Sequence, residues 1–127
     1  MPNERILVVD DDPKFLRFIS ELLIGAGYDV HCSEEPLKVL DMAETVQPRL
    51  VILDISMPGK DGFQVAKELR KSPKLKGVNL MFLTGHPAAT NVKNAKAVGG
   101  VAYLEKPVRS SSLLWMVKAL LDKGKVG

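Results

Sequence analysis

Residues 5–12 of the chain read RILVVDDD, a short apolar run that ends in three aspartates. Residues 50–54, LVILD, repeat the pattern with a single aspartate. Continuous runs of branched aliphatic residues are typical of strands that are buried on both faces of a parallel sheet. Ligands of such sheets bind at the carboxyl ends of the strands, so we expect Asp10, Asp11 and Asp54 to converge on one pocket.

Three carboxylates in one pocket repel one another unless a cation neutralises them. Ligation by oxygen atoms alone in an open pocket favours a hard cation, and we predict Mg²⁺. A strand-end aspartate can also be a helix cap, and Asp12 is predicted to have this structural role because it precedes Pro13.

Two further predicted strands end in polar residues. Residues 79–83, NLMFL, lead into Thr84, and residues 101–105, VAYLE, lead into Lys106. A hydroxyl and an ammonium group beside a metal suit an oxyanion such as a phosphoryl group. Each residue alone is weak evidence, but the joint pattern at successive strand ends predicts a phosphoryl site.

Helical patterns separate these strands. The first predicted helix begins at Pro13 and is ended by Gly25 and Gly27, and the second runs from Glu34 to Val46. The third runs from Phe63 to Lys71, with Asp61 as its cap. An alanine-rich fourth helix ends at Gly99 and Gly100, and a fifth begins at Ser110 to Ser112 and runs to about Lys123. Residues 29–33 form a weaker, partly polar strand, as expected at a sheet edge. Alternating strands and helices predict an α/β fold: a doubly wound, five-stranded parallel sheet in the order 2-1-3-4-5.

The chain resembles the response-regulator receiver domains of two-component signal transduction over residues 6–121. The motifs that carry the resemblance are VVDD at 8–11, LDISMPGKDG at 53–62, LTG at 83–85 and YLEKP at 103–107. The resemblance implies the flavodoxin-like receiver fold and a function in phosphorelay signalling. It also implies a phosphoacceptor domain that assists its own phosphorylation and dephosphorylation rather than an enzyme. The phosphoryl group would come from a histidine kinase or a histidine phosphotransfer protein.

By this resemblance, Asp54 is the phosphoacceptor and Lys106 contacts the phosphoryl group. Asp10 and Asp11 hold Mg²⁺ together with Asp54 and the backbone carbonyl of Ser56. The resemblance therefore implies that an aspartyl phosphate forms in the acidic pocket.

The resemblance also implies residues that transmit and limit the signal. Thr84 and Tyr103 form the switch pair, in which the Thr84 hydroxyl turns to a phosphoryl oxygen and Tyr103 turns inward. Ser56 and His86 border the phosphoryl group and tune its lifetime. The alternatives are that Tyr103 is an ordinary strand aromatic and that His86 is an exposed loop histidine.

Composition predicts one globular domain that spans residues 1–127, with 46% hydrophobic and 26% charged residues. Cys32 is the single cysteine and cannot form an internal disulfide, which suits a reducing cytoplasm. We expect no membrane association, because no apolar run reaches transmembrane length and no signal peptide precedes the first strand.

The net charge is +3 and the pI about 9.0, but the basic residues are scattered. Direct nucleic-acid binding is therefore not predicted.

No output domain is visible in the sequence. Two possibilities remain open: a single-domain regulator that docks on a downstream protein, and a receiver cut from a longer chain.

In the fifth predicted helix, Leu113, Val117, Leu120 and Leu121 share a face that should pack on the sheet, and Trp115 lies roughly opposite. We expect Trp115 in a partner or homodimer face formed by the fourth helix, fifth strand and fifth helix, as receivers often use. The alternative is a tryptophan that lies flat along the surface, covered by neighbouring side-chain stems.

Three rival functions remain. A phosphatase of the haloacid-dehalogenase group needs a second aspartate two residues after its nucleophile, where this chain has Ser56. A flavodoxin-like mononucleotide binder needs hydrogen-bond donors after the first strand, where Asp10 to Asp12 would repel phosphate. A degenerate receiver used only for docking would not need the complete pocket. A phosphoryl adduct on Asp54 after incubation with a small phosphodonor and Mg²⁺ would favour the receiver.

Overall fold

The computed structural model describes residues 4–85 and 99–123, which contain a five-stranded parallel sheet. The strands are β1 (Arg5–Val9), β2 (Asp29–Ser33), β3 (Leu50–Asp54), β4 (Asn79–Thr84) and β5 (Gly100–Glu105). They lie in the order β2-β1-β3-β4-β5, and every neighbouring pair is parallel. The predicted fold class and strand order are confirmed.

Helices cover both faces of this sheet. They are α1 (Pro13–Gly25), α2 (Val39–Val46), α3 (Gly62–Lys71) and a last helix (Ser110–Lys123), with 3-10 turns at Pro36–Lys38 and Pro73–Leu75. The side chains of α1 and the last helix pack on one face, and those of α2 and α3 pack on the other. Within the described ranges, no helix combines the length and apolarity that a membrane span requires. His86 and the fourth predicted helix lie outside the described residues.

The sequence of the central strands follows from their burial on two faces. In β1, Ile6 and Val8 point to the core below α1, whereas Leu7 and Val9 point to the core below α2 and α3. Every residue of β3 is buried. Both faces therefore require apolar side chains, which explains runs without polar alternation. The edge strand β2 is only partly buried, in agreement with its more polar sequence.

The first helix begins where the aspartates predict. Asp12 caps α1, because its Oδ1 accepts a hydrogen bond from the Lys14 N–H at 3.0 Å, and Pro13 is the first helical residue. The backbone N–H of Asp12 also donates to Oδ1 of Asp10 at 2.9 Å. The cap thus orients a neighbouring carboxylate of the acidic cluster.

The second helix begins later than the prediction of Glu34. Glu35 is extended, with φ −113° and ψ 106°, and the α-helix starts only at Val39, after a 3-10 turn. The residue before a proline avoids the helical region, and Oγ of Ser33 accepts a hydrogen bond from the Glu35 N–H at 3.2 Å. The predicted start is therefore wrong, whereas the predicted end at Val46 is confirmed.

The last helix packs on the sheet as its apolar pattern predicts. Leu113, Val117 and Leu121 are buried, and Leu120 is half-buried. Trp115 points away from this face and is 71% exposed. The alternative in which neighbouring stems cover the indole is thereby disfavoured.

The loop after β3 is fixed by a capping box and by a close backbone contact. Asp61 caps α3, with hydrogen bonds of 2.9 Å exchanged in both directions between Asp61 and Gln64. The next residue, Gly62, donates its N–H to the Ile55 carbonyl oxygen at 2.9 Å. A Cβ at position 62 would lie 2.5 Å from the Asp54 carbonyl oxygen. The backbone at Asp54 therefore requires glycine at this position.

We predict that Gly62→Ala lowers the free energy of unfolding by about 1–3 kcal/mol, because the new methyl group would overlap the β3 backbone. The measurement is urea denaturation followed by circular dichroism. Gly77→Ala is the matched control, since a Cβ there would meet no atom within 4 Å. Equal effects of the two substitutions would contradict the steric explanation.

Candidate functional site

Three carboxylates meet at the carboxyl ends of β1 and β3. Oxygen atoms of Asp10, Asp11 and Asp54 all lie within 4.8 Å of one another. Asp10 is 0% exposed and Asp54 is 4% exposed, whereas Asp11 faces solvent. Both buried carboxylates can thus act on a ligand that enters from the side of Asp11.

A single ammonium group enters this cluster from the end of β5. Nζ of Lys106 lies 2.8 Å from Oδ2 of Asp10 and 3.6 Å from Oδ1 of Asp54. The Lys106 backbone N–H donates to the carbonyl oxygen of Thr84 at 2.7 Å, which anchors the lysine to the end of β4. Among the described residues, one cation therefore faces three carboxylates, which leaves an excess of negative charge there.

The burial of the carboxylates changes their pKa values. Desolvation, reinforced by the nearby charge of Asp10, raises the pKa of Asp54 from 3.8 to about 6, although Lys106 and a backbone hydrogen bond from Ser56 oppose the shift. Desolvation also raises the pKa of Asp10, against the hydrogen bond from Lys106. For Lys106, desolvation lowers the pKa, but its contacts with Asp10 and Asp54 outweigh that effect and raise it.

This donor set fits a divalent cation. All three side chains offer oxygen ligands, and both buried carboxylates are short of positive charge. Mg²⁺ prefers such oxygen ligands and would offset the burial and the carboxylate repulsion that together raise the pKa of Asp54. Ser56 is exposed and lies two residues after Asp54, the last residue of β3, and its backbone carbonyl remains a predicted ligand.

The two predicted switch residues lie on neighbouring strands. Thr84 ends β4 and is buried, and Tyr103 is a half-buried residue of β5. The ring centroid of Tyr103 lies 5.9 Å from that of Phe82. Its hydroxyl is buried without a hydrogen-bond partner in the described part of the chain, and desolvation raises the pKa of Tyr103. A buried hydroxyl of this kind can gain a partner if the ring turns.

The sequence patterns did not identify Phe15 as part of this site. They place it on the apolar face of α1, whereas the structure puts its ring centroid 4.3 Å from Nζ of Lys106. A usable signal was its position in the first helical turn, directly after the aspartate loop. The contact itself depends on how α1 and β5 meet in space.

Comparisons with known proteins agree with this geometry. The model of the response regulator receiver domain family matches residues 6–118. The chain therefore belongs to the response regulator receiver domain family. It is a domain of two-component phosphorelay signalling.

Two relatives are transcriptional regulators by name. The DNA-binding dual master transcriptional regulator RpaA of Synechocystis sp. is 34% identical over 119 residues, which cover 94% of this chain and 49% of RpaA. The alkaline phosphatase synthesis transcriptional regulatory protein PhoP of Bacillus subtilis is 30% identical over 124 residues, covering 98% and 51%. The chain thus spans about half the length of these relatives.

Solved structures share the fold over nearly their full length. The chemotaxis protein CheY4 of Vibrio cholerae, crystallized at low pH, has a TM-score of 0.88 and 27% identity, with 93% of this chain and 98% of that chain covered. A CheY-like receiver domain protein of Methanospirillum hungatei has a TM-score of 0.86 and 28% identity, with 98% and 99% covered.

We predict a pH-dependent stability difference between the wild type and Asp54→Asn in magnesium-free buffer. The folded pKa of Asp54, about 6, lies above its ordinary value of 3.8, so this carboxylate destabilises the wild type increasingly as pH rises through that window. Asparagine removes the penalty. The variant should be more stable above about pH 6, by at most about 3 kcal/mol, and the difference should vanish toward about pH 4.

Urea denaturation over this pH range provides the measurement. Added Mg²⁺ should stabilise the wild type more than the variant, because the variant lacks one anionic ligand. A stability difference that stays constant across the pH range would contradict the raised pKa of Asp54.

Proposed function

We propose that Asp54 is the phosphoacceptor of this receiver domain and that its phosphorylation switches a partner or output domain. The observation that supports this most is the position of Asp54, a buried member of the acidic cluster that lies 3.6 Å from the Lys106 ammonium. At this position the Asp54 carboxylate offers a nucleophilic oxygen, with the Lys106 ammonium nearby as its counter-charge. The carboxylates of Asp10 and Asp11 lie beside it as candidate ligands for a cation.

The reaction follows from these groups. An ionised Asp54 oxygen attacks the phosphorus atom, a new P–O bond forms, and the bond to the donor breaks as the donor leaves with its electron pair. The Lys106 ammonium, held between Asp10 and Asp54, can shift to a phosphoryl oxygen and balance its charge. The pKa of about 6 keeps most of Asp54 ionised at neutral pH, as the attack requires.

We propose Mg²⁺ as the cofactor, held by Asp10, Asp11, Asp54 and the backbone carbonyl of Ser56. When bound, Mg²⁺ would supply positive charge and orient the phosphoryl oxygens. Of these ligands, Asp10 is also fixed by Asp12 and Lys106, which hold one oxygen each at 2.9 and 2.8 Å. Asp11, on the solvent side, makes no such fixed contact with the described residues and would adapt to the ion.

We predict that Asp54→Asn abolishes phosphoryl uptake from acetyl phosphate or from a histidine kinase, because the nucleophile is lost while the shape is kept. Intact-protein mass spectrometry with Mg²⁺ present measures the adduct. Asp11→Ala should keep the nucleophile but lower the Mg²⁺ affinity, as measured by calorimetry. Asp41→Asn, an exposed aspartate of α2, is the matched control and should label normally. Labelling of Asp54→Asn at the native rate would refute the proposal.

The proposed readout uses Thr84 and Tyr103. Once Asp54 is phosphorylated, the Thr84 hydroxyl would turn to a phosphoryl oxygen, and Tyr103 would turn inward into the space that the hydroxyl leaves. Thr84→Ala should then accept phosphate but leave the Tyr103 signals unshifted in NMR spectra. If the Tyr103 signals shift as in the wild type, the two residues are not coupled.

We also propose that Ser56 and His86 tune the lifetime of the phosphoryl group. The rate at which phosphorylated variants of these residues lose the phosphoryl group would measure this effect.

The wider role is inferred from the relatives. RpaA and PhoP are named as transcriptional regulators, and this chain spans about half of each. We infer that a histidine kinase or phosphotransfer protein is the donor, in the cytoplasm, and that the output is an attached domain or a separate protein. We propose residues 1–127 as one receiver domain with no direct nucleic-acid contact of its own.

Trp115 is the proposed centre of the output surface. It lines a groove of about 430 Å³ together with Leu104, Met116 and the first turn of the last helix. A large aromatic side chain that is 71% exposed beside half-buried apolar neighbours suits an interface anchor. The partner would be an output domain or a second copy of this chain.

We predict that Trp115→Ala weakens association of the phosphorylated domain with its output partner or with itself by at least about tenfold, with little change in stability. Analytical ultracentrifugation and partner titrations measure the association. Leu37→Ala removes another exposed apolar side chain, 79% exposed, and serves as control. A collapse of the fold, or unchanged association in every assay, would refute the interface role.

A further inference from the structure

The Lys106 ammonium has a third neighbour besides the two carboxylates. Its Nζ lies 4.3 Å from the ring centroid of Phe15, which places the cation over the face of the ring. This is the cation–π contact found within the described residues. The contact joins the first turn of α1 to the end of β5, at the mouth of the acidic pocket.

We propose that Phe15 is a positioning residue for phosphoryl transfer, because its ring holds the Lys106 ammonium over the pocket before the phosphoryl group arrives. This inference rests on the proposed function of Asp54 and Lys106. It adds a residue whose effect acts through Lys106 and not through contact with the reacting atoms.

The geometry explains why the lysine needs such support. Its side chain is 24% exposed, on a flexible four-carbon stem that can also extend into water. It has one fixed acceptor, Asp10, whereas its 3.6 Å separation from Asp54 is too long for a good hydrogen bond. The ring occupies another side of the ammonium and thus favours the inward conformation.

A ring is better suited to this task than a further carboxylate. Attraction to a ring face changes little as the cation slides across it, whereas a hydrogen bond fixes one direction. The ammonium can therefore leave Asp10 for a phosphoryl oxygen while it stays over Phe15. The ring also adds no negative charge to a site that already has an excess.

Phe15 is itself held in place by its surroundings. The Asp12 cap and Pro13 define the start of α1, so the backbone that carries Phe15 is fixed. The half-buried ring packs on the apolar cluster below α1, and it lies at 6.3 Å and 52° to the ring of Phe18. A rigid ring can restrict a flexible cation, whereas a mobile one could not.

The test measures the rate of phosphorylation of the full chain by acetyl phosphate with Mg²⁺, because a small donor needs no docking surface on α1. Phe15→Leu keeps the apolar volume but removes the ring face, and we expect the rate to fall roughly three- to tenfold. Phe15→Tyr should retain most of the rate. Phe18→Leu removes the neighbouring ring, which carries no cation, and is the matched control with an expected rate near that of the wild type.

Fluorinated phenylalanines at position 15 provide a test that preserves shape. Each added fluorine weakens the attraction of the ring for a cation, so the logarithm of the rate should fall stepwise from phenylalanine to the trifluoro form. A flat series would overturn the proposal, and so would a Phe15→Leu variant that folds and reacts at the wild-type rate. The series also remains decisive if Phe15→Leu does not fold.

A double-substitution cycle separates positioning from packing. If Phe15 acts through the lysine, Phe15→Leu should cause no further loss in a Lys106→Ala background. An equal loss with and without Lys106 would assign Phe15 a merely structural role and overturn the inference. Failure of the proposed function is distinguishable, because Asp54→Asn would then still be labelled, or Lys106→Ala would react as fast as the wild type.

Discussion

Two carboxylates, those of Asp10 and Asp54, are buried side by side at the end of a parallel sheet, and one ammonium group offsets only part of their charge. This imbalance governs the rest of the site. Burial and the neighbouring charge of Asp10 raise the pKa of Asp54 to about 6, the two carboxylates hold Lys106 inward, and the donor set fits a divalent cation. A site with this shortage of positive charge would respond strongly to the proposed metal ion and phosphoryl group.

The fold keeps this unfavourable arrangement in place through contacts made by the backbone. Asp12 donates its N–H to Asp10 while it caps α1, so one residue begins a helix and orients a carboxylate. Gly62 approaches the Asp54 carbonyl oxygen so closely that a side chain would not fit. The central strands β1 and β3 bury apolar side chains on both faces of the sheet. The stability lost at the charged cluster is offset by two apolar cores, one on each face of the sheet.

The end of β5 links the charge balance to the proposed output. The Lys106 N–H donates to the Thr84 carbonyl oxygen, so the residue proposed to contact the phosphoryl group is tied to the proposed switch strand. Tyr103 lies on the same strand, and its buried hydroxyl lacks a partner among the described residues. A shift of the lysine and a turn of the tyrosine would therefore involve one short stretch of chain.

The sequence by itself determined the strand order, most helix boundaries and the convergence of the three aspartates. These features depend on local patterns: branched aliphatic runs, a proline after an aspartate cap, and polar residues where each run ends. The start of the second helix escaped prediction although Pro36 already disfavours a helical Glu35, because the hydrogen bond between Ser33 and Glu35 that stabilises the extended turn is visible only in the folded backbone. The Phe15 ring beside Lys106 escaped it too, since 91 positions of sequence separate residues 15 and 106, and no local pattern encodes such a contact. Tertiary structure alone decided which carboxylate Lys106 contacts, how far burial raises the pKa of Asp54, and which aromatic ring the Lys106 ammonium contacts. Each of these depends on distances and dehydration that arise only when the sheet and the helices pack together.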